Sequence, residues 1–299
     1  MPSALDKNLR SGDRSEYLAQ YILSAMGVSV LVPRPEDYGI DCSCALQREE
    51  GRRLTFHSPF NVQVGSIDGD VSHKQFVYGG LTKNEDPSKR AHRAWEIEFL
   101  RRQQLPFFAG TVDKKQHRLR LYSTSPMWYV LHRFAEVGEI TLCPEAAHDI
   151  DKQTDPLALP DGRSLPRFLV PLGPPVLDVT VMDLWNDSLD KAVEALANAI
   201  HIEQRNLLYR DLDVQYFLRL ANYTPNQVTN QQYYSFVPHQ AVLQKTPDWL
   251  RPVIIMMAMA YEMDGNAEAI EKIRGMLTLL PLSQEDKKIL AQNAGITDL

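Results

Sequence analysis

The chain has few cysteines and no long hydrophobic run. Its three cysteines, Cys42, Cys44 and Cys143, have spacings that fit neither a zinc site nor a disulfide framework. We therefore interpret them as small buried apolar residues of a protein from a reducing compartment. The most apolar stretch, residues 253–261, is too short to span a bilayer, and the N-terminus lacks the pattern of a signal peptide. These absences predict a cytoplasmic protein without a membrane anchor.

Several common catalytic signatures are also missing. The sequence contains no glycine-rich phosphate loop, no G-x-S-x-G nucleophile elbow and no dinucleotide-binding fingerprint. The eight histidines are scattered without the spacing of metal ligands. These patterns therefore give no support for a P-loop enzyme, a serine hydrolase of the elbow type or a dinucleotide-dependent enzyme.

Positive charge is not in excess. The net charge is -6, and residues 1–140 carry 19 basic and 17 acidic side chains, whereas residues 141–299 carry 13 and 21. A protein that binds phosphates along its whole surface would be strongly basic. The balance permits a phosphate-binding surface on the first half of the chain and disfavours one on the second half.

The first half alternates between helical and strand patterns. Leu18, Tyr21, Ile22 and Ala25 recur at helical spacing, which predicts a first helix from Ser11 to about Gly27. Apolar alternation and turn residues predict strands and further helices after it. These elements are strands at 28–33, 39–47 and 60–67, a helix at 88–104, strands at 105–113 and 117–124, and a helix at 125–134. The predicted order is helix, strand, strand, strand, helix, strand, strand, helix.

The second half reads as helical after a proline-rich stretch. Six prolines lie between Asp155 and Pro175, and proline is poorly tolerated in helices and central strands. We therefore predict three regions: an N-terminal domain over 1–150, a linker over 151–178 and a helical domain over 179–299. Helices are expected near 187–200, 249–263, 266–280 and 283–294, the last one with a capping box at Ser283 and Asp286 and an end at Gly295.

Three short segments of the first half carry polar residues in a suggestive order. RSGDRSEYLAQ contains Glu16, DYGID contains Asp41, and VQVGS contains Gln63. Together with the order of elements, these segments resemble the PD-(D/E)xK nuclease superfamily, and the resemblance extends to WEIEFLRRQQLPFFAGTVD. It implies an α/β N-terminal domain of restriction-endonuclease-like fold, with a mixed sheet flanked by helices, followed by a mostly α-helical C-terminal domain. It looks closest to a bacterial branch often encoded near restriction and antiphage systems.

The resemblance implies a metal site. Hydrolysis of a phosphodiester requires a hard divalent cation, Mg²⁺ or Mn²⁺, held by oxygen ligands. Asp41 would supply a carboxylate, Gln63 its side-chain carbonyl and Val64 its main-chain carbonyl, while Glu16 approaches from the first helix. Such a site carries little charge and is expected to bind the metal weakly. Each residue also has an ordinary structural interpretation: Glu16 as a solvated acid, and Gln63 as an amide satisfied by backbone.

The lysine of the family pattern is missing. It stands two residues after the position of Gln63 and is replaced here by Gly65. Loss of such a charged group costs about two to four orders of magnitude in rate. Three explanations remain open at this stage: a lysine supplied from elsewhere, such as Lys74 or Lys83, a natural pseudo-nuclease, or deliberate inactivation.

Basic residues of the first half are candidates for phosphate contacts. The nearby Glu96, Glu98 and Asp113 favour the alternative of a solvated charged face. The candidates are Lys89, Arg90 and Arg93 on the second helix and Lys114 and Lys115 on the following hairpin.

Three functions follow from these patterns. The first is a DNA-binding protein of a bacterial defence or DNA-processing system with impaired catalysis, whose helical half binds other subunits or forms oligomers. The second is an active metal-dependent nuclease with a relocated lysine, for which we favour Lys74. The third is a protein-interaction scaffold that binds no nucleic acid.

Overall fold

The computed structural model describes most of the chain. It covers residues 7–32, 39–50, 53–67, 74–86, 89–146, 149, 151–186, 188–211, 217–220, 223–228, 233–236, 250–263, 265, 267–277 and 282–297. The chain forms two compact units, one of Met1–Leu208 with Phe217–Phe236 and one of Tyr209–Tyr216 with Val237–Leu299. This division differs from the predicted regions 1–150, 151–178 and 179–299.

The order of elements in the first half agrees with the sequence pattern, with one addition, the short strand β4. In chain order the elements are α1 (Lys7–Ser24), β1 (Gly27–Leu31), β2 (Cys42–Glu50), β3 (Arg53–Ile67), β4 (Phe76–Gly79), α2 (Ala94–Arg101), β5 (Phe107–Asp113), β6 (Arg118–Ser123) and α3 (Ser125–Arg133). The predicted hairpin is confirmed, since β2 and β3 pair antiparallel. The second helix is shorter than predicted and begins only at Ala94.

A mixed six-stranded sheet forms the framework of the first unit. Its strand order is β1-β2-β3-β5-β6-β10, where β10 is Leu177–Thr180. Only β3 and β5 are parallel neighbours, and they align Gln63 with Ala109 and Gly65 with Thr111. Helix α1 packs against this sheet through Ala19, Ile22 and other buried apolar residues. A mixed sheet with flanking helices is therefore confirmed.

The predicted linker over 151–178 is wrong. Most of the segment forms strands β8 (Lys152–Ala158), β9 (Ser164–Gly173) and β10. Strands β8 and β9 join β4 and β7 (Glu139–Pro144) in a second sheet of order β4-β7-β9-β8. The prolines are tolerated because Pro156 lies in an edge strand at a register shift, and Pro171 pairs with Cys143 beside another shift.

The prediction of a helical region over 179–299 is only partly correct. Helix α4 (Ser188–Asp211) buries Ala192, Leu196 and Ile200, but most of it belongs to the first unit. Two further strands, β11 (Phe217–Leu220) and β12 (Tyr233–Phe236), pair in a separate two-stranded sheet. These strands are only four residues long, which is too short for a clear alternation in the sequence.

In the described part of the second unit there are three helices: α5 (Leu250–Met263), α6 (Ala267–Leu277) and α7 (Gln284–Ala294). Ile254, Ala258, Ile273 and Leu290 contribute to their shared core. The capping box of Ser283 and Asp286 is confirmed, and Gly295 ends α7 in the left-handed conformation. In the part of the chain with described coordinates, no helix has both the length and the apolar composition for a membrane span.

A carboxylate lies fully buried in the first unit. Glu203 of α4 accepts hydrogen bonds from the hydroxyls of Ser123 and Ser125 at 2.6 and 3.0 Å and from the indole N–H of Trp128 at 3.0 Å. Burial raises the pKa of Glu203 above its usual value of 4.5, and the three hydrogen bonds oppose this rise. The network ties α4 to β6 and α3.

We expect Glu203 to make stability depend on pH. A carboxyl whose pKa is raised in the folded state contributes stability below its usual pKa of 4.5, and this contribution is lost as the pH rises through the raised value. The unfolding free energy of the wild type, relative to Glu203→Gln, should therefore fall with rising pH by at most about 1.4 kcal/mol per pH unit. Urea denaturation between pH 4 and 8 measures this difference. Glu194→Gln, at an exposed position of the same helix, is the control, and parallel curves for the wild type and Glu203→Gln would contradict the expectation.

Candidate functional site

Asp41 lies directly before β2 and contacts the neighbouring strand through its backbone and its side chain. Its N–H donates to the Val62 carbonyl at 2.9 Å, and its Oδ2 accepts the N–H of Val64 at 2.6 Å. Pairing of β2 with β3 begins at Cys42 and Val62. The Asp41 carboxylate therefore accepts the N–H of Val64, which a further residue of β2 would otherwise accept. Asp41 therefore has a structural role where β2 ends beside β3, and it lies next to the predicted metal ligands.

The backbone of Val64 also faces Asp41. The N–H and the carbonyl of one strand residue point to the same side of the strand, and the Val64 N–H points to the Asp41 carboxylate. The Val64 carbonyl consequently faces the same space, beyond the first residue of β2. Two of the predicted oxygen ligands are thereby brought together.

Gln63 points to the face of the sheet that packs against the second sheet. Its Oε1 accepts a hydrogen bond from the hydroxyl of Tyr78 on β4. Its Nε2 lies 3.8 Å from the position that a Cβ on Gly39 would occupy. The Gln63 amide is thus held between Tyr78 and the chain just before Asp41.

Little space is left for a side chain at position 65 while Lys74 keeps its present position. A Cβ on Gly65 would lie 2.6 Å from Cγ and 3.1 Å from Cε of Lys74, and 3.2 Å from Cε1 of Phe76. Atoms this close overlap, so the aliphatic stem of Lys74 occupies the volume where a side chain at position 65 would begin. The lysine is otherwise exposed. A lysine therefore lies over the position where the family pattern places one, but it comes from another segment of the chain.

We expect Gly65→Ala to destabilise the protein by about 1 kcal/mol, the lower end of the cost of overpacking, because the exposed Lys74 side chain can partly move away. The same substitution in a Lys74→Ala background should cost clearly less, since the crossing stem is gone. Urea denaturation of the wild type, both single variants and the double variant measures this coupling. Equal costs in both backgrounds would show that the contact between Gly65 and Lys74 is absent in solution.

Glu16 approaches the same region from α1, where it is half-buried. Burial is the main cause that raises the pKa of the Cys42 thiol, and the charges of Cys44, Asp41 and Glu16 raise it further. Burial likewise raises the pKa of Cys44 to about 11. The negative charges of Asp41 and Glu16 thus act on the same buried thiol, that of Cys42.

All three cysteines are buried and form no disulfide, which confirms their interpretation as buried residues.

The donor set suits a hard divalent cation held with the help of water. Among the described residues there is no group of three histidine, cysteine, aspartate or glutamate side chains that could hold a metal ion. The donors at Asp41 are instead oxygens, its own carboxylate and the Val64 carbonyl, whereas the Gln63 amide turns its oxygen to Tyr78 and its nitrogen to Gly39. Hard cations such as Mg²⁺ prefer oxygen ligands and usually keep several waters. Oxygen donors of this type match Mg²⁺ or Mn²⁺ better than zinc.

Lys83, the other relocated lysine considered from the sequence, lies in a different place. It lines an open cleft with Leu81, Thr82, Asn84 and Arg90. The three heavy atoms nearest to a Cβ at position 65 belong to Lys74 and Phe76, and none of them belongs to Lys83. The geometry therefore favours Lys74 over Lys83.

The predicted phosphate-binding residues do not lie on one element. Lys89, Arg90 and Arg93 precede α2 and are not part of it. Lys89 is 3.6 Å from Asp86, Arg90 donates to the Asn84 carbonyl at 2.9 Å, and Arg93 pairs with Glu96 at 2.8 Å. Lys114 and Lys115 lie in the turn between β5 and β6. Local acids and carbonyls thus already engage the first group.

The sequence interpretation missed the segment that covers the candidate site. Lys74, Phe76 and Tyr78 alternate along the chain, and side chains at alternating positions of an extended segment share one face. That face meets Gly65 through Lys74 and Phe76, and Gln63 through Tyr78. The alternation in residues 74–78 is visible in the sequence, but a strand of only four residues gives too short a pattern to be predicted from it.

Comparison with known proteins adds no family assignment. The chain matches no protein-family model, no curated protein and no solved structure.

Proposed function

We propose that this chain is a metal-dependent phosphodiesterase acting on nucleic acid, similar to the PD-(D/E)xK nucleases, in which Lys74 provides the charge of the missing motif lysine. One observation carries the proposal: the Lys74 stem occupies the volume into which a side chain at position 65 would project. A pseudo-nuclease that had simply lost its lysine would have no reason to place another lysine there.

The sheet topology supports the same proposal. The order of α1, β1, β2, β3, α2 and β5 agrees with the order on which the family resemblance rests. The hairpin of β2 and β3 places Asp41 beside residues 63–65, which we call the motif segment. These features together are what we expect of a restriction-endonuclease-like fold.

Each residue has a role that follows from its chemistry. Asp41 and the Val64 carbonyl would hold the divalent cation, the Gln63 amide would join them with its oxygen turned away from Tyr78, and Glu16 would add negative charge from α1. When bound, such an ion polarises a phosphoryl oxygen and lowers the pKa of a bound water. The Lys74 ammonium would orient the attacking water and offset the charge that develops on the phosphate. The resemblance alone is the support for placing this activity in a bacterial defence or DNA-processing system with DNA as substrate.

The test is a cleavage assay on the purified chain. Labelled single-stranded and double-stranded DNA and RNA are incubated with Mg²⁺, with Mn²⁺ or with a chelator, and we expect cleavage only when a divalent cation is present. Silence on every substrate would contradict the proposal. Salt-dependent binding without cleavage would then favour the catalytically impaired nucleic-acid-binding protein, and the absence of binding would favour the interaction scaffold.

A further inference from the structure

A second cleft lies in the first unit, where the ends of β7 and β9 of the second sheet lie beside β6 and β10 of the first sheet. Its volume is about 420 Å³, which is within the range of sites for small organic ligands. Its apolar lining is mostly proline, and its charged lining consists of one arginine and two carboxylates. We call it the proline cleft, and its main lining residues are Arg120, Glu145, Pro174, Pro175, Asp178 and Pro225.

The walls of the proline cleft are fixed by specific contacts. The side chain of Asn226, the residue after Pro225, accepts the N–H of Asp178 at 2.8 Å and donates to the Asp178 carbonyl at 2.6 Å. The Glu145 N–H donates to the Gly173 carbonyl at 3.0 Å. Glu145 and Asn226 both have a positive φ, 59° and 60°, a conformation that is uncommon for glutamate and that recurs at binding and active sites. The cleft is therefore formed before any ligand enters it.

The charges around the proline cleft are balanced. Arg120 lies 3.2 Å from Glu145 and 3.4 Å from Asp178. Arg118 also pairs with Asp178, so two guanidinium groups meet two carboxylates, and a phosphate would gain little by entering. The two contacts of Arg120 use two of its five N–H donors, and no other described residue is hydrogen-bonded to the remaining ones. The cleft therefore suits a neutral ligand that has acceptors, donors and a flat apolar face.

The proline cleft lies on the same face of the first sheet as the motif segment. Strand pairing aligns Gly65 with Thr111 and Thr111 with Arg120. Arg120 is in turn aligned with Asp178. Directly paired residues point to the same face, and adjacent strands are about 4.8 Å apart, so Arg120 lies two strands, or about 10 Å, from Gly65. A nucleic-acid strand with a phosphate at the motif segment can therefore place a nearby base in the cleft.

We infer that the proline cleft binds an unpaired guanine base of the substrate, close to the phosphate that is cleaved. The inference rests on the proposed function for the class of substrate. Guanine presents two acceptors, N7 and O6, that match the donors of an arginine, and an amino group that can donate to a carboxylate. In a duplex the edge with the amino group is paired with cytosine, so both edges are open only in an unpaired base. The proline rings provide the apolar surface on which a flat base packs.

The experiment measures GMP binding to the full chain, without divalent cations, by isothermal titration calorimetry. AMP, CMP, UMP and ribose 5-phosphate are the comparison ligands, and we expect GMP to bind most tightly and ribose 5-phosphate not to bind. Arg120→Lys keeps the positive charge beside Glu145 and Asp178 but removes the planar group of donors. Its Kd for GMP should rise about tenfold, the effect of losing one specific arginine contact to guanine.

A second variant and a control complete the design. Ala146→Trp fills the cleft that Ala146 lines and removes no charge, so it should abolish GMP binding. Arg133→Lys is the matched control, because Arg133 pairs with Asp151 at 2.8 Å and does not line the cleft. Its Kd for GMP should equal that of the wild type. Thermal denaturation of each variant checks that the fold is kept.

The outcomes separate this inference from the proposed function. A wild type that binds no GMP, or that binds all four nucleotides equally, overturns the guanine site even if the chain cleaves nucleic acid. An unchanged Kd in Arg120→Lys and Ala146→Trp overturns it as well. Selective GMP binding that both variants weaken supports the site even if no substrate is cleaved, in which case the proposed activity fails alone.

Discussion

Lys74→Met is expected to lower the rate of the proposed metal-dependent cleavage by about two to four orders of magnitude, the range for loss of a charged group that stabilises the transition state. Methionine retains an unbranched apolar stem that can still cross Gly65, so the packing at this contact should be preserved. The rate constant under single-turnover conditions, at saturating Mn²⁺, is the quantity to measure. Unfolding of the variant by urea should follow the wild-type curve closely.

Two further variants decide whether the position of this lysine is what matters. Lys83→Met removes an exposed lysine that lines the separate cleft, and its cleavage rate should equal that of the wild type. The double variant Gly65→Lys with Lys74→Ala returns the lysine to the position of the family pattern, and it should recover much of the lost rate because the crossing stem has been removed. Full activity of Lys74→Met would exclude Lys74 from the chemistry.

Asp41→Asn is the second substitution with a large expected effect. Asparagine keeps a side-chain oxygen that can accept the Val64 N–H, but it removes the negative charge beside the proposed cation. We expect cleavage to fall by about three orders of magnitude or more, because a bound metal ion supplies several kcal/mol of charge stabilisation. Mn²⁺ binding should weaken in parallel, while the stability of the folded protein should change little.

Asp41→Ala separates the structural role from the chemical one. Alanine removes the acceptor as well and leaves the Val64 N–H without this partner, so we expect a loss of about 1 to 3 kcal/mol in unfolding free energy. If Asp41→Asn binds Mn²⁺ and cleaves like the wild type, Asp41 serves only as the hydrogen-bond acceptor of the Val64 N–H. If both variants lose cleavage but only Asp41→Ala loses stability, the carboxylate has both functions.

Local patterns predicted much of the first sheet, because its elements are long enough to show their periodicity. Residues 42–50 and 53–67 form the expected hairpin, and this pairing alone brings Asp41 next to Gln63. The proline-rich segment misled the interpretation, because proline was weighed as a breaker of structure. Proline at an edge strand or a register shift, as in β8 and β9, does not have this effect.

The position of Lys74 could not be predicted from the sequence. Its contact with Gly65 depends on how the second sheet packs on the first, through buried residues such as Phe76, Phe107 and Phe168. Such packing joins segments that are far apart in the chain, and strand periodicity carries no information on it. The sequence showed only that Gly65 stood where a lysine was expected.

The crossing of Gly65 by Lys74 also limits how such a site can change during descent. A side chain at position 65 and the lysine stem from position 74 require the same volume, so a larger residue at position 65 requires the exposed Lys74 side chain to take another rotamer. Substitutions at positions 65 and 74 are therefore expected to be coupled during descent.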